Sequence, residues 1–506
     1  MASEDKYIQR DKLCESVITE CGEDYILPDY MPEIRRVLRL EAKLSRAEQY
    51  VGGGRAEFEG TVLYTLFYTD NENALSVVPL EGRYRYQAVI DTEPPQLVYS
   101  EELLDGVSVR PQGPRRVHLR ARIRANVHAV SDERIGALPE HAEKAGELVL
   151  LSGEEPMLHC ERAESEEFCL EAEHLWEAEG EIRPLYATAE LLCEGIRAED
   201  GHAVCFGKVQ IKALAEHNGE VVSLSERIPF EEEIVKSECT AADRAILKDT
   251  STAVELEIEE VGEKSILKAT AYLTLTVELL HNESVTLVSD LYSTTHEVSV
   301  TKKEHECLHL VGCGMENYSI EGEGDAKEGE RILFTSCTVR DVKDTFSQGK
   351  LILTGECRAE LLCYHEAEGY YTDEMLLPFR LESDRAAERA EKDLLYTALT
   401  PLFAEVTVQN GKRRLCAELS LSMKLLRARL LPLPHEMEAL GEREKQGEDS
   451  LVIYYPTDQD SLWSIGKQYG VTAEQLKKQN DIPEEDAALH DTKALDGIAW
   501  LFVSRL

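Results

Sequence analysis

Three stretches of strict apolar–polar alternation set the reading of this chain. Leu119, Ala121, Ile123, Ala125 and Val127 alternate with polar residues, as do Leu267, Ala269, Ala271, Leu273 and Leu275, and then Leu415, Ala417, Leu419, Leu421 and Met423. A period of two sends successive side chains to opposite faces, which is the signature of a half-buried strand. An earlier alternating block starts at a glycine each time: Gly60 with Val62, Tyr64 and Leu66; Gly207 with Val209, Ile211 and Ala213; Gly355 with Cys357, Ala359 and Leu361. A third block begins at Val37, Leu185 and Ile332, at offsets of 148 and 147. Because three blocks keep one period, the chain carries three copies of a unit of about 148 residues.

The predicted fold class is mainly β, each unit being a set of hairpins closed as a sandwich or an open barrel. Turn glycines Gly113, Gly262 and Gly411 precede the strands of Leu119, Leu267 and Leu415, and Asn410-Gly411 suits a type I′ hairpin turn. Gly52-Gly53-Gly54 lacks the lysine and helix of a phosphate loop and reads as a turn. A helix is expected over 384–399, with Asp384 as its N-cap. Ahead of the first unit, Pro28 and Pro32 hold a segment partly extended, and Pro32 predicts a short helix through Arg36. Tyr25, Leu27, Pro28, Tyr30, Met31 and Pro32 of that segment either pack on the first unit or form a docking motif.

A different pattern closes the chain. Residues 436–450 are charged and nearly free of apolar side chains, as in a solvated linker. Leu451 to Tyr455 then reads as a strand. Asp460 or Ser461 caps a helix carrying Leu462, Ile465 and Tyr469, which Gly470 ends. Thr472 to Gln475 is a capping box for a second helix, and 500–503 supplies a closing strand. The expected divisions are therefore an entry segment at 1–36, β-rich repeats at 37–160, 161–310 and 311–435, the linker at 436–450, and a small α+β (βααβ) domain at 451–506.

Composition narrows the function. The hydrophobic fraction of 43% is enough for real cores in a chain of 506 residues. A net charge of −42 repels phosphate backbones and anionic lipid heads, so nucleic acid is not an expected partner. The first residues show no leader pattern and no stretch is apolar enough for a membrane span. Thirteen scattered cysteines, none in a Cys-x-x-Cys pair, read as cytosolic thiols. His305, Cys307, His309 and Cys313 include metal-ligand types, but alternate positions of a strand form a row that cannot surround one ion. No hydrolase, nucleotide-binding or metalloprotease motif is present. No catalytic, cofactor or metal residues are expected; Cys357 and Cys363 fall on inward positions as buried thiols.

The run Asp460-Ser461-Leu462-Trp463, with Tyr469-Gly470-Val471-Thr472, Leu476 and Asn480, closely resembles the LysM domain. The resemblance implies a groove for N-acetylglucosamine polymers, lined here by Gln459, Asp460, Ser461, Leu462, Trp463, Asn480, Asp481 and Ile482. Trp463 is either a core residue of the first helix or a ligand plate with one exposed ring edge. Gln459 stands where the family has glycine, Phe502-Val503 replaces its final Ile-Pro, and the stretch from Asn480 to Gly497 is long for the family. Asp24 to Pro32 with the β repeats looks like the SPOCS domain, and the order of segments is similar to clostridial SipL-type sporulation proteins. That resemblance implies a non-enzymatic scaffold of the mother-cell cytosol at the forespore surface. Its implied partner is the spore-coat basement-layer ATPase, stage IV sporulation protein A. A peptidoglycan-binding protein of the spore cortex or wall is the alternative.

Overall fold

The computed structural model describes residues 6–91, 95, 97–135, 138–139, 142–443, 452–482, 495 and 498–504. The first repeat contains β1 (Lys6–Ile26), β2 (Arg36–Leu44), β3 (Glu48–Gly52), β4 (Arg55–Thr69), β5 (Leu75–Val89), β6 (Leu97–Gly113) and β7 (Arg116–Ile135). Strands β1, β7 and β6 form one antiparallel sheet; β4, flanked by β5 on one edge and by β2 and β3 on the other, forms the second. No ladder joins the two sheets among the described residues, so the unit is a sandwich rather than a barrel. Its core interleaves Phe58, Tyr64 and Leu66 of β4 with Leu119, Ile123 and Val127 of β7.

The second repeat follows the same plan with β8 (Leu148–Glu164), β9 (Phe168–Glu179), β10 (Ile182–Glu199), β11 (His202–His217), β12 (Glu220–Val235), β13 (Arg244–Val261) and β14 (Lys264–Ser293). In the third these become β15 (His296–Asp325), β16 (Arg331–Ser347), β17 (Lys350–His365), β18 (Gly369–Ser383), β19 (Leu394–Gln409) and β20 (Lys412–Glu442). Sheets β10-β11-β12 and β16-β17-β18 face sheets centred on β14 and β20. The alternating stretches are the central strands, where every apolar residue named in the runs from Leu119, Leu267 and Leu415 is buried. The repeated glycine pairs with an aromatic on the next strand: Gly60 with Tyr84, Gly207 with Phe230, Gly355 with Phe379. A Cβ on Gly60 or Gly355 would strike that ring, whereas on Gly207 it would meet the Leu192 carbonyl.

Several expectations shift. Each sandwich opens with the strand that pairs with its own last strand: β1 with β7, β8 with β14, β15 with β20. The expected divisions at 36, 160 and 310 therefore fall after β1, inside β8 and inside β15. Residues 436–442 are not linker but the end of β20, laddered to β15; residues 444–450 lie outside the described residues. The helix expected at 384–399 is replaced by successive tight turns and then β19, because Leu394 to Leu399 pair with β20. No helix follows Pro32 either, since the Ile34 and Arg35 amides donate to Pro114 and Thr69 carbonyls. Asn410-Gly411 makes the expected turn with φ of 53° and 73°, while the first hairpin turns at Pro114-Arg115, one residue beyond Gly113.

The three sandwiches close on one another around a shared centre. Phe67, Leu214 and Leu362 are equivalent residues of β4, β11 and β17, and they meet in one cluster with Leu75, Val221 and Tyr370. Tyr186 lies edge-on to Phe67 at 5.1 Å and to Phe334 at 5.4 Å, so one ring touches all three repeats. Polar contacts complete the junctions. Lys43 donates to Thr188 across the first and second repeats (2.9 Å). Lys212 donates to the Ala404 carbonyl across the second and third (3.0 Å). Arg39 and Arg36 reach Ser336 and the Tyr370 carbonyl across the third and first. A second three-way cluster joins Ile8 and Ile135, Met157, Val285 and Leu287, and Cys307 and Leu433. Phe334→Ala should cost about 3–5 kcal/mol; calorimetry should show the single transition splitting as the repeats uncouple.

Candidate functional site

The terminal module contains β21 (Val452–Tyr454), α1 (Leu462–Tyr469), α2 (Ala473–Gln479) and β22 (Leu501–Val503). Local chemistry sets its helix ends. The Ser461 hydroxyl accepts from the Ser464 amide (3.1 Å), and the Ser461 amide donates back to the Ser464 hydroxyl (2.9 Å). Gly470 ends α1 with φ of 66°, its amide reaching the Gly466 carbonyl at 2.8 Å. Thr472 and Gln475 repeat the reciprocal cap at α2. Leu462, Ile465, Val471, Leu476, Leu501 and Val503 make the core. The two short strands pair antiparallel, Ile453 opposite Phe502.

The expected groove residues divide sharply. Gln459 and Asp481 are exposed. Ser461 is occupied as the N-cap, and Leu462 and Ile482 are core. The Asp460 carboxylate accepts from the Thr457 amide (2.8 Å), the Thr457 hydroxyl and the Tyr454 hydroxyl (both 2.9 Å). The backbone bond from Thr457 leads in holding this carboxyl below its ordinary range, so Asp460 braces the strand–helix loop. Asn480 accepts from the Phe502 amide (2.6 Å) and donates to the Phe502 and Leu476 carbonyls (both 2.8 Å), tying α2 to β22. The second wall of the groove would include residues 483–494, outside the described residues.

Trp463 faces the repeats. Only 6% exposed, it lies edge-on to Tyr292 of β14 at 4.8 Å. Its indole Nε1 donates to Asp290 Oδ2 at 2.9 Å. Lys467, one turn on, donates to both Asp290 oxygens at 2.8 and 2.7 Å. Burial works against the Asp290 charge, but bonds from Lys467 and Trp463 outweigh it and keep the carboxyl below its usual range. The Tyr292 hydroxyl donates to the Val471 carbonyl (2.7 Å). Arg443 spans the joint, donating to Ser293 and His296 carbonyls on one side and to Lys467 and Gln468 carbonyls at the α1 C-terminus on the other. Trp463 is thus covered by the second repeat, through Asp290 and Tyr292 of β14. Asp290, Tyr292 and Arg443 carry no signal in the sequence, because about 170 residues separate the first two from their partners.

The entry motif is mostly packed. Leu27 is buried, and Tyr25 and Met31 pack on the first core. The Tyr25 hydroxyl donates to the Glu81 carbonyl. Pro28 and Pro32 offer their carbonyls to Arg115 and to Tyr68. Tyr30 alone stands out, 85% exposed. His305 contacts Glu133 of the first repeat (3.1 Å), while Cys307 is buried in the second three-way cluster. Cys357 and Cys363 are buried.

Fold and site together define a mainly β protein: three sandwich repeats carrying a small helix-bearing module at the C-terminus. The module's family is identified, for the LysM domain family model matches residues 459–490. At the coarse level this domain points to peptidoglycan or related carbohydrate binding. No curated protein and no solved structure matches the chain. No helix among the described residues is long and apolar enough to cross a membrane.

Proposed function

We propose that this chain is a non-catalytic scaffold that holds a LysM module in fixed orientation on a three-sandwich platform. The observation carrying this reading is the Trp463–Asp290–Tyr292 joint, reinforced by Arg443, which makes module and repeats one body. A rigid joint serves placement of a partner; a freely tethered binding module has no use for it. The resemblance to SipL-type sporulation proteins supplies the finer reading: spore-coat assembly in the mother-cell cytosol at the forespore surface. The partner is then the basement-layer ATPase of the stage IV sporulation protein A type. A −42 chain suits a partner with basic patches. Pull-down of that ATPase by the full chain, and by a chain ending at 443, decides it; equal recovery would remove the LysM module from the account.

The second reading is peptidoglycan binding, favoured by the LysM match and by the exposed Gln459 and Asp481 at the expected groove. Sedimentation with purified spore peptidoglycan separates the two. The scaffold reading expects the chain to stay in the supernatant.

A further inference from the structure

Strands β16 and β17 place two thiols side by side on the inner face of the third sandwich. Cys337 opposes Ala359 and Cys357 opposes Val339, so the cysteines are diagonal neighbours across the ladder. Their Sγ atoms lie 3.0 Å apart. A second such pair, Cys193 and Cys205 of β10 and β11, has its Sγ atoms 3.6 Å apart. Access distinguishes them. Cys193 and Cys205 are both fully buried. Cys337 is half-buried and opens on a cleft of about 330 Å³ between the second and third repeats, lined also by Glu190, Lys248, Phe403 and Ser420. The cleft admits a small reagent to one sulfur, and the other waits within bonding reach behind it. The thiol hydrogen bond from Cys337 favours the Cys357 thiolate and pushes the Cys337 thiol up.

We infer that Cys337 and Cys357 form a thiol–disulfide switch operated by small disulfides of the glutathione class. Cys337 passes its proton to the Cys357 thiolate 3.0 Å away and attacks one sulfur of the small disulfide, forming a mixed disulfide and expelling one small thiolate. Cys357 then yields that proton to the expelled small thiolate and attacks Cys337 Sγ, expelling the second small thiolate. Relative to the dithiol the protein loses two protons and two electrons, and the small disulfide is reduced to two thiols. The new bond ties β16 to β17 at the cleft wall.

The test is to incubate the native full chain with glutathione disulfide, trap remaining thiols with N-ethylmaleimide, and map unreduced peptides by mass. A Cys337–Cys357 crosslink, reversed by dithiothreitol, is expected, with Cys193 and Cys205 recovered as alkylated thiols. Cys357→Ser should stop at a glutathione adduct on Cys337, and the rise in melting temperature on oxidation should vanish with it. The switch is overturned if wild-type chain stops at that adduct, or if Cys337 and Cys357 stay reduced while exposed Cys169 reacts.

Discussion

Trp463→Ala is expected to release the LysM module from the repeats. The substitution removes the ring packed on Tyr292 and strands the Asp290 carboxylate with Lys467 alone among its short contacts. Truncating a buried tryptophan costs about 3–5 kcal/mol, enough to convert a docked module into a tethered one. Hydrogen exchange should rise across α1 and at the end of β14 while the central strands β4, β11 and β17 stay protected. If the proposed scaffold reading holds, capture of the coat ATPase should fall with it. Because Trp463 is itself part of α1, Asp290→Ala is the companion variant: it breaks the joint from the repeat side, and α1 should remain folded while its exchange at the interface rises. Unaltered exchange in both variants would mean that the joint contributes no rigidity.

The second large effect is expected at Glu330. Its side chain is fully enclosed and pairs with Arg413, itself 7% exposed; the two bonds are charge-assisted, one at 3.0 Å. Arg413 also reaches Asp373 at 2.7 Å, and the Tyr371 hydroxyl donates to Glu330. Glu330→Ala should destabilise the third repeat by about 3–5 kcal/mol, since a buried guanidinium loses its main counter-charge. Burial disfavours the Glu330 charge, yet bonds from Arg413 and Tyr371 prevail and hold the carboxyl below its ordinary value of 4.5. Its contribution is therefore complete above that unfolded value and is lost as pH falls through the depressed folded one. Urea denaturation at neutral and acid pH should show a gap between wild type and variant that closes in acid.

The central strands were legible because one face of each is buried and the other is not. β7, β14 and β20 alternate cleanly, and period two survives in their residues. The strands β1, β8 and β15 escaped detection since they are partly exposed on both faces and their role is to close the sheet on its own last strand. The contacts between repeats had a trace in the sequence. Leu66-Phe67-Tyr68, Ala213-Leu214-Ala215 and Leu361-Leu362-Cys363 break the alternation with three buried residues in a row. Such a break marks a strand covered on both sides, and here it marks where the second face meets its neighbours. In the LysM module, caps and core followed from local spacing, as Ser461, Gly470 and Thr472 show. The occupation of Trp463 did not, because periodicity within a helix shows that a face is covered and is silent about what covers it.

The triangular closure of the sandwiches bears on what can be cut away. All three repeats contribute to both shared clusters, so deleting any one bares the apolar side chains that it covers on the remaining pair. A two-repeat fragment should therefore expose Phe67, Leu214 or Leu362 and their neighbours and self-associate. In the intact chain the third copy covers those side chains from within.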